Sequence, residues 1–361
     1  MKYKPAVFAV EDTYQIMLPA AVSSLMWVRV GDRCFYDDVN GILRSSTDMH
    51  RVSVPMALLD EARAYTICER RIRKRKPYFS EPLPAVETTY AFRPVPATGE
   101  IRAYMIADTH DRVAETIRAV KTFGKADFLL FNGDIANHND DMERVLRVFE
   151  IAGEIAGGEI PMVFARGNHD TRGRFAERYT DYTPHAEGRS YYWFRLGRIW
   201  GLVLDCGEDK DDSHPEYGGT VCCHDFRLRE TAYLERLIRQ EIYEQPDVDT
   251  RIVVVHDPFT YRDNPPFDIE EEIYTRWARL LEAHVHPDVI LAGHLHQLAV
   301  SMPGSALDHR GQPCPVVVGS KVGKGYFAGT GVSFREDGVQ IAFTDSDGAC
   351  IEERFIPKTI I

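Results

Sequence analysis

Beyond residue 100, short apolar runs alternate with stretches in which apolar positions recur every three or four residues. The runs at 101–107, 128–131, 162–165, 199–204, 252–255 and 289–292 predict strands, and the helical periodicity predicts helices at 112–123, 142–155, 228–243 and 269–282. Strands alternating with amphipathic helices are the signature of an α/β layer architecture. The first 95 residues read differently. Short β-rich runs at Ser24–Val30, 51–54 and 64–68 are separated by turn residues such as Gly31-Asp32 and Asn40-Gly41, which predicts a small all-β sandwich. The proline-bearing stretch from Phe92 to Gly99 is the expected boundary, giving one domain over 1–95 and a second over 96–361. From Val316 onward, β-rich runs and glycine turns predict strands that close a second sheet. No internal repeat and no low-complexity segment interrupts this plan.

Charge narrows the partners. Lys and Arg number 43 against 55 Asp and Glu, a formal charge of −12, which disfavours a general nucleic-acid or anionic-membrane binder. No apolar run approaches the roughly 18–20 residues of a spanning helix, and the opening MKYKPAVFAVEDTYQ meets charge before a signal core develops, so the cytoplasm is the expected compartment. Seven scattered cysteines without a C-x-x-C pair read as free thiols in a reducing environment. The Cys222-Cys223-His224-Asp225 tract lacks the converging ligands of a structural zinc site and reads as packing or surface thiols. The basic run Arg70 to Lys76 reads as a solvated strand face. Gly319 to Gly325 lacks the spacing of a phosphate loop and reads as a turn between strands.

The candidate chemistry lies in five clusters: Asp108-Thr-His110, Gly133-Asp134, Gly167-Asn168-His169-Asp170, His256, and Gly293-His294-Leu-His296. Each follows an apolar run, and an open α/β sheet gathers such positions at the carboxyl edge of its strands. Four imidazoles, two carboxylates and an amide oxygen suit borderline transition metals better than calcium or magnesium. Two divalent ions bring four positive charges and Asp108 with Asp134 two negative ones, so the balance favours an anionic phosphate ester. Arg166, beside the third cluster, is the candidate for orienting phosphate, and His138 the candidate for lining the pocket.

The order D-x-H, G-D, G-N-H-D, H, G-H-x-H resembles the calcineurin-like metallophosphoesterase superfamily. That resemblance implies a four-layer fold, a β-sandwich flanked by helices, here preceded by a small all-β domain. It further implies that Asp108, His110 and His296 hold one ion, that Asn168, His256 and His294 hold a second, and that Asp134 bridges them. His169 becomes the general acid, held and polarised by Asp170. The expected cofactors are two divalent transition-metal ions, manganese, iron or zinc. The expected reaction is in-line attack of metal-activated water on a small phosphorylated substrate. A β-sandwich ahead of such a domain is similar to the fibronectin type III-like module of purple acid phosphatases. Their D-x-D and G-D-x-x-Y motifs are replaced here at His110 and Asn137, which leaves no tyrosinate for charge transfer to iron. The second cluster also departs from the G-D-x-V-D-R-G of phosphoprotein phosphatases. A silent scaffold of the same fold, expected to lack ligands, and a nuclease, expected to be basic, are the alternatives. Filled ligand positions and the acidic charge disfavour both.

Overall fold

The structure is a computed structural model and describes residues 3–358. Two sheets face each other. The larger runs Cys350–Pro357, Gly338–Asp345, Tyr326–Phe334, Ile101–Ile106, Phe128–Asn132, Pro161–Ala165, Ala6–Val10, Thr13–Pro19 and Met49–Pro55, with Lys321–Gly323 paired to Tyr326–Phe334. The second runs Tyr192–Leu196, Ile199–Val203, Thr250–Val254, Val289–Ala292, Val316–Gly319 and Leu298–Ser301. Their inner faces share one apolar core, in which Met105, Leu130 and Val163 of the first sheet meet Val203, Val254 and Leu291 of the second. Helices Val113–Phe123 and Arg147–Ile155 cover the outer face of the larger sheet. Helices Cys223–Arg239 and Glu271–Leu280 cover the other. This is the four-layer α/β arrangement expected from the sequence. Central strands buried on both faces explain why their runs are continuously apolar rather than alternating.

Residues 1–95 are not set apart from this sandwich. Ala6–Val10 pairs in parallel with Pro161–Ala165, and Thr13–Pro19 and Met49–Pro55 extend the same sheet. A separate five-stranded sheet, built on Ser24–Val30, Arg33–Tyr36, Ala64–Lys74 and Val86–Ala91, closes over that extension. Met26, Val28 and Ile67 pack there with Ile16, Val52 and Val54. The N-terminal sandwich thus borrows one layer from the large sheet, and the boundary expected at residue 95 runs through a sheet. The proline-bearing stretch is itself packed: Phe92 and Val95 are buried, and the Arg93 N–H donates to the Glu159 carbonyl at 2.7 Å. A buried chain of Ser24, His50 and Asp37 stitches the layers, with His50 Nε2 3.1 Å from Ser24 Oγ and Nδ1 2.6 Å from Asp37 Oδ2.

Other departures have local causes. The helix expected over 142–155 is divided at Leu146 into Met142–Val145 and Arg147–Ile155. The helix expected from 228 begins at Cys223, because the Asp212 carboxylate accepts the Cys223 and His224 N–H groups at 2.8 and 3.0 Å. Such a cap, supplied from a loop, satisfies end donors that no neighbouring residue serves. Of the strands after residue 315, only Val316–Gly319 joins the second sheet; the rest return to the first beside Ile101–Ile106. The seven cysteines are unpaired. Among the described residues no helix is long and apolar enough to cross a membrane.

Candidate metal centre

The five clusters lie beyond the carboxyl ends of strands from both sheets. Asp108, Asp134 and Asn168 follow Ile101–Ile106, Phe128–Asn132 and Pro161–Ala165; His256 and His294 follow Thr250–Val254 and Val289–Ala292. The sequence places them at one edge of one sheet, whereas they occupy the meeting point of two. Asn132 joins the sheets beneath them, its Nδ2 donating to the Val255 and Leu291 carbonyls at 3.1 Å each. The turns are tight. Asp108, His110, Asp134, His294 and His296 all have left-handed backbone, with φ between 44° and 65°. Side chains other than glycine rarely adopt that region, and the cost of about 1–3 kcal/mol per residue collects at functional sites. Close approach demands glycine at two neighbours: a Cβ on Gly133 would stand 2.5 Å from His256 Nδ1, and one on Gly167 would collide with Asp134 Oδ1.

The donor atoms converge. Asp108 Oδ1 lies 3.3 Å from His296 Nε2, 3.6 Å from His256 Nε2 and 3.9 Å from His110 Nε2. Asp134 Oδ2 lies 3.3 Å from His256 Nε2 and 3.8 Å from His110 Nε2. His110 and His296 face each other Nε2 to Nε2 at 3.0 Å. Asn168 Oδ1 faces His294 Nδ1 at 3.2 Å and Asp134 Oδ2 at 3.3 Å. Without an ion, that amide would be better satisfied turned over, its nitrogen toward Asp134 and its oxygen 3.1 Å from Arg172 Nη2. A cation bound between these groups would reverse the preference. Asp108 Oδ1, fully buried, meets only imidazole nitrogens at 3.3 Å and beyond and makes no well-aligned hydrogen bond, a condition expensive enough to require explanation. Both observations fit metal ions at this position.

Electrostatics agree. Burial works against a charge on His256, yet Asp134 and Asp108 more than offset it and hold its pKa up at about 10. Burial depresses His110 to about 4 despite the same two carboxylates, since His169 and His296 also stand close. Asp134 is held below the usual carboxylate range: burial would raise it, but His256, His169 and His110 prevail. The two carboxylates therefore draw positive charge to the cluster. His256 Nδ1 faces the Asn132 carbonyl at 2.7 Å and donates to it, so Nε2 is the nitrogen turned to the carboxylates and would become the ligand atom when a cation replaces its proton.

Three expected roles change. Asp170 does not hold the His169 ring. Its Oδ2 accepts the Gly167 and Asp134 N–H groups at 2.9 and 3.1 Å, and its Oδ1 accepts the Tyr179 hydroxyl at 3.0 Å. It braces the turns that carry Asp134 and Asn168, and burial together with Asp134 pushes its pKa up to about 6. His169 instead turns Nδ1 to the Asn137 carbonyl at 2.7 Å and points Nε2 toward Asp134 Oδ2, 3.9 Å away. Arg166 is committed to Asp205, Nε to Oδ2 2.7 Å, and lies over the Phe226 ring. His138 accepts the Asp140 N–H at 3.3 Å and is not among the converging groups.

Sequence reasoning missed several participants. Ser320 Oγ donates to Asp108 Oδ2 from the glycine-rich turn, and the Asp209 carboxylate accepts the Asn168 amide at 3.3 Å. Arg172 Nη1 reaches His169 Nε2 at 3.1 Å while Glu208 holds its other nitrogens. Arg172 stands one short helical turn after His169, a spacing that the sequence does contain. Glu208, Asp209 and Ser320 are brought from other strand ends and leave no local signal.

Purple acid phosphatase PPD1 from yellow lupin (Lupinus luteus) seeds is similar over 99% of this chain and 74% of its own, with TM-score 0.61 and 11% identity. The structure of PhoD is similar over 99% of this chain and 92% of its own, with TM-score 0.54 and 10% identity. At these identities the likeness is one of fold. No curated protein sequence matches this chain. The family model for Calcineurin-like phosphoesterase matches residues 101–298, the stretch that carries all five clusters, and this chain belongs to that family.

Proposed function

We propose that the protein hydrolyses phosphate esters with two divalent transition-metal ions. Asp108, His110 and His296 hold one, Asn168, His256 and His294 the other, and Asp134 serves both. The carrying observation is the convergence of imidazole nitrogens from separate strand ends on Asp108 Oδ1 and Asp134 Oδ2, two buried carboxylate oxygens. Manganese, iron and zinc suit this donor set. When bound, such a pair of ions activates water and clamps phosphoryl oxygens. The chain's own groups do the rest. Asn132 fixes the His256 tautomer, Asp170 sets the Asp134 turn, and His169, its Nδ1 held by the Asn137 carbonyl, is the proton donor to the departing oxygen once Nε2 is protonated and Arg172 Nη1 has turned from it. A silent member of the fold would show gaps in the donor set, and all seven positions are filled.

The test is metal-stripped protein supplied with manganese, iron, zinc or cobalt in turn and assayed on monoesters and diesters. Hydrolysis should need two ions per chain, and no turnover under any metal would sink the reading. His169→Ala should keep both ions and lose about 10²- to 10⁴-fold on alkyl phosphates, the usual worth of a positioned proton donor. Aryl phosphates with acidic phenols expel a stable anion and should lose clearly less. A uniform loss across the leaving-group series would show that His169 orients substrate instead.

A further inference from the structure

Arg166, the guanidinium nearest the third cluster in sequence, is turned away into its pair with Asp205. A different arginine faces the centre. Arg172 Nε and Nη2 donate to Glu208 Oε1 and Oε2, both at 2.9 Å, in a two-pronged pair. Glu208 is itself anchored: it is 2% exposed and accepts the Thr171 hydroxyl at 2.6 Å and the Tyr217 hydroxyl at 3.1 Å. The fork leaves one nitrogen over. Nη1 projects to His169 Nε2 at 3.1 Å, and that same Nε2 lies 3.9 Å from Asp134 Oδ2. Arg172 thus stands one side chain from the carboxylate at the heart of the cluster, with its geometry already fixed and its side chain 28% exposed. A guanidinium held on two nitrogens has lost most of its freedom beforehand, so a hydrogen bond from the third costs little more ordering. Burial works against the charge, but the Glu208 pair outweighs it and keeps the group protonated.

We propose that Arg172 Nη1 binds a terminal phosphoryl oxygen of the substrate, and that this selects phosphomonoesters over diesters. The inference rests on the phosphoesterase reading above and deepens it. A monoester presents three terminal oxygens and a diester two, the third having become an ester oxygen with far less charge to donate to. Two bound cations together with one fixed N–H donor would supply a partner for each of three. On a diester the third donor faces a poor acceptor and contributes little. Glu208 is then a positioning residue, acting only through Arg172.

Arg172→Ala decides it, assayed on a matched methyl-leaving pair of monoester and diester, with metal content measured in the same samples. With two ions retained, the monoester should lose about 10²-fold or more in kcat/KM, the scale of removing one oxyanion donor, and the diester less than about threefold. Added guanidinium should restore part of the monoester rate, which a purely structural role would not allow. Inorganic phosphate, titrated by calorimetry into the metal-loaded protein, should bind at least about tenfold more weakly to the variant, as expected for one charged hydrogen bond. If Arg172→Ala fails to fold, Arg172→Lys, which keeps the charge and loses the fork, should still lower the monoester-to-diester ratio. Equal losses on both esters, or phosphate bound as tightly as by the parent protein, would overturn the proposal. A parent protein that hydrolyses neither ester but binds phosphate in an Arg172-dependent way would instead remove the phosphoesterase reading and keep the anion site.

Discussion

Asp134→Asn should strip the protein of both ions, whereas His296→Ala should chiefly weaken one. The substitution keeps the shape of the side chain and an oxygen to accept the His169 N–H, now at 2.9 Å from Oδ1. What it removes is the charge at Oδ2, which lies within 3.9 Å of His256, His110 and His169 Nε2. Two divalent ions close together repel each other, and a shared anionic ligand offsets that repulsion. Affinity at each site should therefore fall by more than the roughly 10- to 100-fold that even an outer-shell partner costs. His296 is different: it stands at the rim, with its side chain 45% exposed, and among the carboxylates meets Asp108 Oδ1 at 3.3 Å. Metal per chain after dialysis, with calorimetric affinities, distinguishes the two variants. Two ions retained by Asp134→Asn at unchanged affinity would defeat the bridging assignment.

A protein beginning at Ala97 should fail to fold, contrary to what a separate first domain would predict. Removing residues 1–96 takes away Ala6–Val10, whose five side chains are all between 0% and 2% exposed. Burying Val7, Phe8 and Val10 alone is worth about 5 kcal/mol or more, on the scale of a whole domain's net stability of about 5–15 kcal/mol. The loss also leaves Pro161–Ala165, the strand that delivers Asn168, as a bare apolar edge prone to intermolecular pairing. The Glu11 N–H, which donates to the Trp193 carbonyl at 2.7 Å and ties the first segment to the second sheet, goes with it. In the full chain, Phe8→Ala should cost about 3–5 kcal/mol, as large core truncations do, read as a lowered urea midpoint. A soluble protein from Ala97 that binds two ions would restore the modular division.

The sequence by itself determined the layer type and most of the strands after residue 100, and it singled out the seven candidate donors that the fold brings together. It could do so because a buried strand must be continuously apolar, and because each candidate donor lies within a few residues after such a run, where the chain emerges and turns. Tertiary structure decided what depends on elements distant in sequence. Ala6–Val10 reads as an unremarked apolar start until Pro161–Ala165 lies beside it, since pairing partners more than 150 residues apart leave no periodicity to find. Helix Cys223–Arg239 starts where the Asp212 carboxylate reaches it, not where its own pattern begins. At the centre the same rule holds. Asp170 follows His169 in sequence, but the helical turn they share points the carboxylate inward to the Gly167 and Asp134 backbone, and the ring outward to Asn137. Arg166 adjoins the ligand cluster and is drawn off by Asp205, while Arg172 is turned toward the centre by Glu208. Residue type and strand-end position specify which groups can bind a metal; the direction a side chain faces is set by counter-charges that arrive from other strands.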